Sequence, residues 1–372
     1  MEEKHAEALA EFFRQVWDPG ATAETVRRDR AAAAAVNPLG AGEDVPTFAF
    51  LSEGRALGYV TTIPAPLWSG GTEHRAHWVK GLWVLPEHRN GPIGFLLLKE
   101  AVRHLGCAMA MVVAPAPRRL FGALGFRDLG ALPNHLRILR PARVLRRLEL
   151  EKLGMEGIPG LAPTALRLAQ RSGVASAAGA GAALALRLWS TVCGRSAGFA
   201  LDSPAEVDAA EVDRLWQRAR DALPAASIRD GSTLRWRYGG RTEKPYSFVA
   251  ARRGGELAAV AVVRHPRPGG DERLAGLRVA VLSEVIFSPG RSRAGMAAIA
   301  GAERTARDLG ADALLCSASH PALAALLPRR AFLRLPGNVH FMARDAAGAC
   351  ALPQTLEEWW LTRGDSDADD SF

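Results

Sequence analysis

Apolar residues recur with two different periods along this chain, and the places where the period changes mark its elements. Leu9, Phe12, Phe13 and Val16 fall at helical spacing before the break Asp18-Pro19-Gly20, so the first 36 residues read as helices. "TFAFLSEGRALGYVTTIP" alternates around Glu53-Gly54 as a hairpin does, and "EHRAHWVKGLWVLP" is a further strand region. The stretch "LWVLPEHRNGPIGFLLLKEAV", residues 82–102, changes character in its middle. It opens as an apolar strand, breaks at Pro86 and passes through a charged turn ending Arg89-Asn90-Gly91. It resumes from Pro92 as a helix with Ile93, Leu96, Leu97, Ala101 and Leu105 as its apolar positions. "CAMAMVVA" (107–114) is then a short apolar strand, "PRRLFGALGF" (117–126) a short helix closed by Gly125, and "HLRIL" (135–139) a final strand. Strands alternating with helices indicate an α/β unit.

Residues 141–200 have another character: helical, arginine-bearing, then Ala/Gly-rich with few strand formers. Beyond Asp202 the order of the first half returns. "LWVLPEHRNGPIG" corresponds to "VIFSPGRSRAGMA", and "LFGALGFRDLGALPNHLRILR" to "LLPRRAFLRLPGNVHFMAR". Identity is low, but the elements and their breakpoints coincide, which is the mark of a tandem duplication. The expected organisation is a first α/β domain over 1–140, a helical connector over 141–200, a second domain over 201–363, and an acidic tail over 364–372, "GDSDADDSF", loose at its end.

Composition narrows the class. The chain has 372 residues, nearly half of them apolar, enough for two cores. Its start, Met-Glu-Glu-Lys-His, is acidic with no apolar run behind it, and the bland stretch Gly173–Leu186 is shorter than a bilayer span; neither a secretory signal nor a membrane span is expected. Cys107, Cys193, Cys316 and Cys350 lie far apart, suggesting neither a disulfide framework nor a metal site and fitting a cytoplasmic protein. The net charge of +8 rests on arginine clusters. Aromatic interleaving of the kind that stacks bases occurs only in "LRWRY" (234–238), so the charge reads as solvated basic faces, with anion binding at particular arginines open and no DNA partner expected.

The turn at 89–92 bears the chemistry. A helix N-terminus behind a strand and a glycine turn presents free N–H groups and the positive end of the helix dipole, and Arg89 adds a charge-assisted contact to a phosphate oxygen. No Gly-Lys-Ser/Thr follows, so it is not a P-loop, and Gly-x-Gly-x-x-Gly is absent. The segment resembles the pyrophosphate-binding signature of the GNAT superfamily of acyl-CoA N-acyltransferases, Arg/Gln-x-x-Gly-x-Gly/Ala at the helix after the central strand. Arg89 takes its first position, Gly94 its last, and Pro92 stands at the middle glycine. "LFGALGF" resembles the family's late helix and Gly-Phe corner; the likeness covers about 45–140 and, more weakly, 245–345.

The resemblance implies a fold of two tandem GNAT-like domains, each a mixed central sheet flanked by helices. It implies acetyl-CoA or another acyl-CoA as co-substrate, with no metal. Its contacts would be Arg89, Asn90, Gly91, Ile93 and Gly94 around the pyrophosphate, and the backbone of Leu82, Trp83 and Val84 along the pantetheine. The reaction implied is direct attack of an amine on the thioester, the acceptor being a small-molecule amine, an amino sugar among the candidates through a soft likeness to bacterial proteins of polysaccharide assembly. Three departures stand out. Pro92 removes a donor, Phe121 stands where the family often has a tyrosine, and the first central strand has Lys80 and Gly81 where the second has a carboxylate, Glu284. Glu284 and His77 are the candidate acid–base groups, each with a structural alternative: an ion pair with a nearby arginine for the first, a hydrogen-bonded structural imidazole for the second. A scaffold without chemistry, and an aminoacyl-transferring relative with a tRNA donor, are the rival readings.

Overall fold

The computed structural model describes residues 3–38, 46–112, 114–147, 174–193, 198–240, 245–268, 274, 276–346, 348, 350–366 and 368–369. Much of the expected connector, 148–173 and 194–197, lies outside the described residues. The chain divides into two compact units, but not in linear halves: Met1–Gly130 with Val339–Gln354, and Ala131–Asn338 with Thr355–Phe372.

In the first unit, helices α1 (Glu3–Val16) and α2 (Ala23–Val36) precede the sheet, with Thr22 and Thr25 forming a capping box at the second. Strands β1 (Thr47–Ser52) and β2 (Arg55–Ser69) make the expected hairpin; Glu53 and Gly54 both take positive φ, as a tight turn requires. Strand β3 (Thr72–Val84) pairs antiparallel with β2 and leads through the turn into α3 (Ile93–His104). Next come β4 (Cys107–Val112), α4 (Pro115–Ala123) and β5 (Arg127–Ala131). The sheet order is β1-β2-β3-β4-β14-β5, where β14 (His340–Asp345) comes from the second repeat and pairs antiparallel with β4. One face buries Val60, Val79, Ala108 and Ala110 under α3 and α4, with Leu97, Leu98 and Phe121; the other packs Leu57 and Tyr59 against Leu9 and Phe12 of α1.

The second unit answers in kind. Its sheet order is β13-β6-β12-β11-β10-β9-β7: β7 (Ala200–Asp202), β9 (Tyr246–Arg253), β10 (Glu256–Pro268), β11 (Arg278–Phe287), β12 (Ala313–Ser317), β13 (Phe332–Leu335), and β6 (Asn134–Ile138) from the first repeat. The strand expected to finish the first domain therefore pairs antiparallel with β12 and β13 of the second unit. Helix α5 (Pro141–Arg147), expected as connector, puts Val144 into this unit's core and packs on α6 (Val174–Cys193), where Gly179 lies close against Ala142. Helices α7 (Ala209–Arg220), α8 (Gly231–Tyr238, carrying "LRWRY") and α9 (Ser292–Asp308) complete the unit, and β15 (Trp359–Trp360) pairs parallel with β8 (Ala225–Ser227). Within the acidic tail Asp365, Ser366 and Asp369 are buried, and its end, 370–372, lies outside the described residues. No described helix is long and apolar enough to cross a membrane.

Candidate active site

Strand β3 is built to part from its neighbours. It runs parallel to β4 for only three residue pairs, Ala76–Cys107 to Trp78–Met109. Beyond them β3 runs on to Val84 and β4 to Val112 without pairing with each other. On its other side the ladder to β2 skips: Tyr59 faces Trp83 and Thr61 faces Lys80, leaving one extra residue in β3 at Gly81-Leu82. Such a bulge bends a strand and re-aims its side chains. Gly81 has φ +61°, and a Cβ there would lie 3.3 Å from Tyr59 Oη. Leu82 and Val84 are half-buried and Trp83 is exposed.

The strand ends in the turn singled out by sequence. A 3₁₀ turn, Pro86–His88, precedes Arg89, whose Nε donates to the Val84 carbonyl at 3.2 Å. Gly91 N–H donates to His88 O at 3.0 Å, and Pro92 caps α3 with its carbonyl accepting from Leu96. No side chain caps this N-terminus. Arg89, Asn90, Gly91 and Pro92 are exposed, while Ile93 and Gly94 are buried. At Gly94 a Cβ would meet only Leu120 and Val84 side chains, at 3.5 and 3.8 Å, which are ordinary contacts. The protein's own packing does not require glycine there, although glycine costs a helix about 1 kcal/mol relative to alanine.

On the α1 side of the bulge lies a cavity of about 400 Å³, lined by Phe13 and Trp17, by Asp18 and Asp29, and by Tyr59 and Lys80 among others. Phe13 and Trp17 stack at 4.7 Å, Phe13 meets Tyr59 edge-on at 5.3 Å, and Trp17 reaches Trp83 at 5.5 Å. Apart from Lys80, none of these lining residues stood out in the sequence as chemistry. The signal was the face of β2 opposite Val60, shared by Tyr59 and Thr61, but only the bulge tells which end of that face matters.

His77 is not at this cavity. It shares the α3 face with Val79 and Ala108, is 5% exposed, and neither ring nitrogen has a hydrogen-bond partner. Burial, then the charge of Arg75, pushes its pKa down to about 4. An imidazole so reluctant to take a proton, on the wrong face of the sheet, is a poor general base, and it is not the hydrogen-bonded imidazole of the structural alternative either. Phe121 is core: 4% exposed and edge-on to Phe126 at 4.8 Å.

Glu284 belongs to the second unit and sits at the matching place. Strand β11 pairs parallel with β12 from Val279–Ala313 to Leu282–Cys316 and then parts. Its ladder to β10 skips between Leu282 and Glu284, so Ser283 is the extra residue. Glu284 is 4% exposed and ion-paired to Arg229 Nε at 3.0 Å; Arg229 also donates to Asp365 at 2.7 Å. Burial pushes the Glu284 carboxyl up, against the pull of Arg229. The ion-pair alternative is what the geometry contains. Among the described residues no cluster of histidine, cysteine or carboxylate side chains could hold a metal ion.

Comparison with family models and with curated protein sequences finds no match. Solved structures do match. A conserved protein of unknown function from Enterococcus faecalis V583, described as a probable N-acyltransferase, superposes with TM-score 0.55 at 13% identity, over 93% of this chain and 71% of that one. A GCN5-related N-acetyltransferase from Kribbella flavida gives 0.53 at 13% identity, over 95% and 72%. Saccharomyces cerevisiae N-myristoyltransferase with bound myristoyl-CoA gives 0.50 at 12% identity, over 79% and 68%. The chain therefore has a GNAT-like fold, with two GNAT-like sheets.

Proposed function

We propose that the first unit is an acyl-CoA-dependent N-acyltransferase. The observation that carries the reading is the parting of β3 from β4 directly before an uncapped, glycine-bearing helix start. The pyrophosphate would lie on the N–H groups of the first turn of α3, close to Gly94, with Arg89 leaving Val84 O to contact a phosphate oxygen. The pantetheine would add to the free edge of Leu82, Trp83 and Val84 as a further strand, its thioester at the Gly81 bulge.

The amine would come from the cavity on the α1 face, on the other side of that bulge. Phe13, Trp17 and Tyr59 offer ring faces for a sugar or other flat-sided molecule, and Asp18 and Asp29 suit an ammonium group. An amino sugar fits this lining, as do other small amines. Holding amine and thioester together supplies most of the acceleration. With His77 on the α3 face and Glu284 ion-paired to Arg229 in the second unit, an ordered water would take the ammonium proton. Tyr59 Oη, pressed on the bulge, is placed to return one to the departing thiolate.

The test is calorimetry with acetyl-CoA followed by thiol release against a panel of amines. Binding in the micromolar range with turnover supports the reading; binding without turnover on any amine leaves a sensor or scaffold; no binding leaves a fold without this function.

A further inference from the structure

The cleft of the second unit is filled, and by the protein itself. Where β11 and β12 part, the C-terminal segment runs between them. Gly364 N–H donates to Ser283 O of β11 at 2.7 Å, and Thr362 Oγ1 to Glu284 Oε1 at 3.3 Å. Toward the β12 side, Arg363 Nε donates to Ser317 Oγ at 3.0 Å and Leu361 N–H to Ser319 Oγ at 2.9 Å. The segment's acids are answered inside the unit. Asp365 accepts from Arg229, Asp369 accepts from Tyr246 Oη at 2.8 Å, and the Asp369 carbonyl accepts from Arg264. Residues 361–366 are all buried. Gly364 has no room for a side chain, since a Cβ would run into Tyr238 Oη and the Ser283 carbonyl.

We infer that this cleft is an intramolecular peptide site, closed by residues 361–366, 368 and 369, and that the protein therefore takes one acyl-CoA per chain, in the first unit. The segment uses the free edge of β11 as a pantetheine arm would use that of β3, so the two occupants exclude each other. The stoichiometry rests on the proposed donor role of the first unit; the closure of the second does not.

Hydrogen exchange on the unaltered protein is the first test. Amides of 361–366 are expected to exchange as slowly as those of β11, and exchange at the rate of a free terminus overturns the proposal. Cys316, fully buried on β12 where pairing stops, reports opening, and Cys107 on β4 of the first unit is the control. In Gly364→Val, which cannot seat, a small maleimide should label Cys316 at least tenfold faster than in the parent, with Cys107 unchanged. No acceleration overturns the proposal. Acceleration at both cysteines also overturns it, because the tail is then part of the fold and not an occupant of a preformed cleft. Free CoA is the last probe: one equivalent bound is expected, and two overturn the closure. If none binds, the reading of the first unit fails, while exchange and labelling decide the tail independently.

Discussion

Two central strands of this molecule carry one extra residue near the same place and then diverge in what they do with it. In β3 the bulge is Gly81-Leu82, the following turn is exposed, and the edge beyond Trp78 is free of strand pairing. In β11 the bulge is followed by Glu284, an arginine neutralises it, and the edge is hydrogen-bonded to the chain's own terminus. The same backbone device is followed by an exposed turn in one unit and covered by the chain's own C-terminal segment in the other. What distinguishes them is polarity at depth: a buried carboxylate demands a buried cation, and the two together demand further polar partners, which the tail supplies.

The sharpest way to break this comparison is to remove the cation. In Arg229→Met, Glu284 and Asp365 stay buried and lose their direct ion-pair partner, and removal of one partner of such a group costs about 3–5 kcal/mol. The urea transition of the second unit should shift accordingly. Arg89→Met, exposed in the first unit, should leave stability within about 0.5 kcal/mol. Equal, small shifts in both variants would show the buried network to be dispensable and end the contrast.

Acid should act on both units alike. His77 in the first and His135 in the second are each held at about 4, by burial first and then by the charge of Arg75 or Arg334. The unfolded imidazoles bind protons below their ordinary value of 6.5, and the folded ones do so only near 4. Stability is therefore full above that value and falls with pH between it and about 4, by up to roughly 1.4 kcal/mol per pH unit for each residue, about 3 kcal/mol each at the bottom. His77→Met should flatten this dependence for the first unit only, and His135→Met for the second only. A denaturation series between pH 7 and pH 4 that is flat in the parent refutes both burials.

Donor binding separates the units again, with a smaller effect. Arg89→Ala should weaken acetyl-CoA by about 1–3 kcal/mol, the range for losing a hydrogen bond to a charged group. Arg291→Ala, at the corresponding turn of the second unit, should leave it unchanged. Calorimetry with the reverse result would move the donor site to the other sheet.

How much of this was legible follows the range of the interactions. The hairpin at Glu53-Gly54, the break at Pro86, the helix after Pro92 and the repeated order of elements are set by neighbours within a few residues, and periodicity exposes them. That "HLRIL" joins the second sheet between β12 and β13, and that His340–Asp345 joins the first between β4 and β5, depends on which distant strands they find; the pattern is the same either way. The tail misled for the opposite reason. Four aspartates in nine residues read as solvated unless the arginines that meet Gly364, Asp365 and Asp369, namely Arg237, Arg229 and Arg264, are known to converge. The candidate site was half visible: Arg89 to Gly94 by motif, the Tyr59 and Trp17 wall not at all, because those residues lie far apart in sequence and meet only where α1 packs on β2.

That bend supports the smallest and most specific test. Gly81 lies in the left-handed region at φ +61°, whereas Glu284, at the aligned place, does not. Gly81→Ala must therefore pay backbone strain of about 1 kcal/mol, and its methyl would also press on Tyr59 Oη at 3.3 Å. Gly54, in the β1–β2 turn at φ +77°, provides the reference, because a Cβ there has nothing within 4 Å. Gly54→Ala should lose the strain energy alone. Gly81→Ala should lose a few tenths of a kcal/mol more, roughly the cost of a contact a few tenths of an ångström too close, and should also quench or shift Trp17 fluorescence, since Tyr59 and Trp17 rings lie 5.8 Å apart. If the two variants are equally destabilised and Trp17 emission is unchanged, Tyr59 does not rest on the bulge, and the cavity on the α1 face is separate from the strand that would hold the thioester.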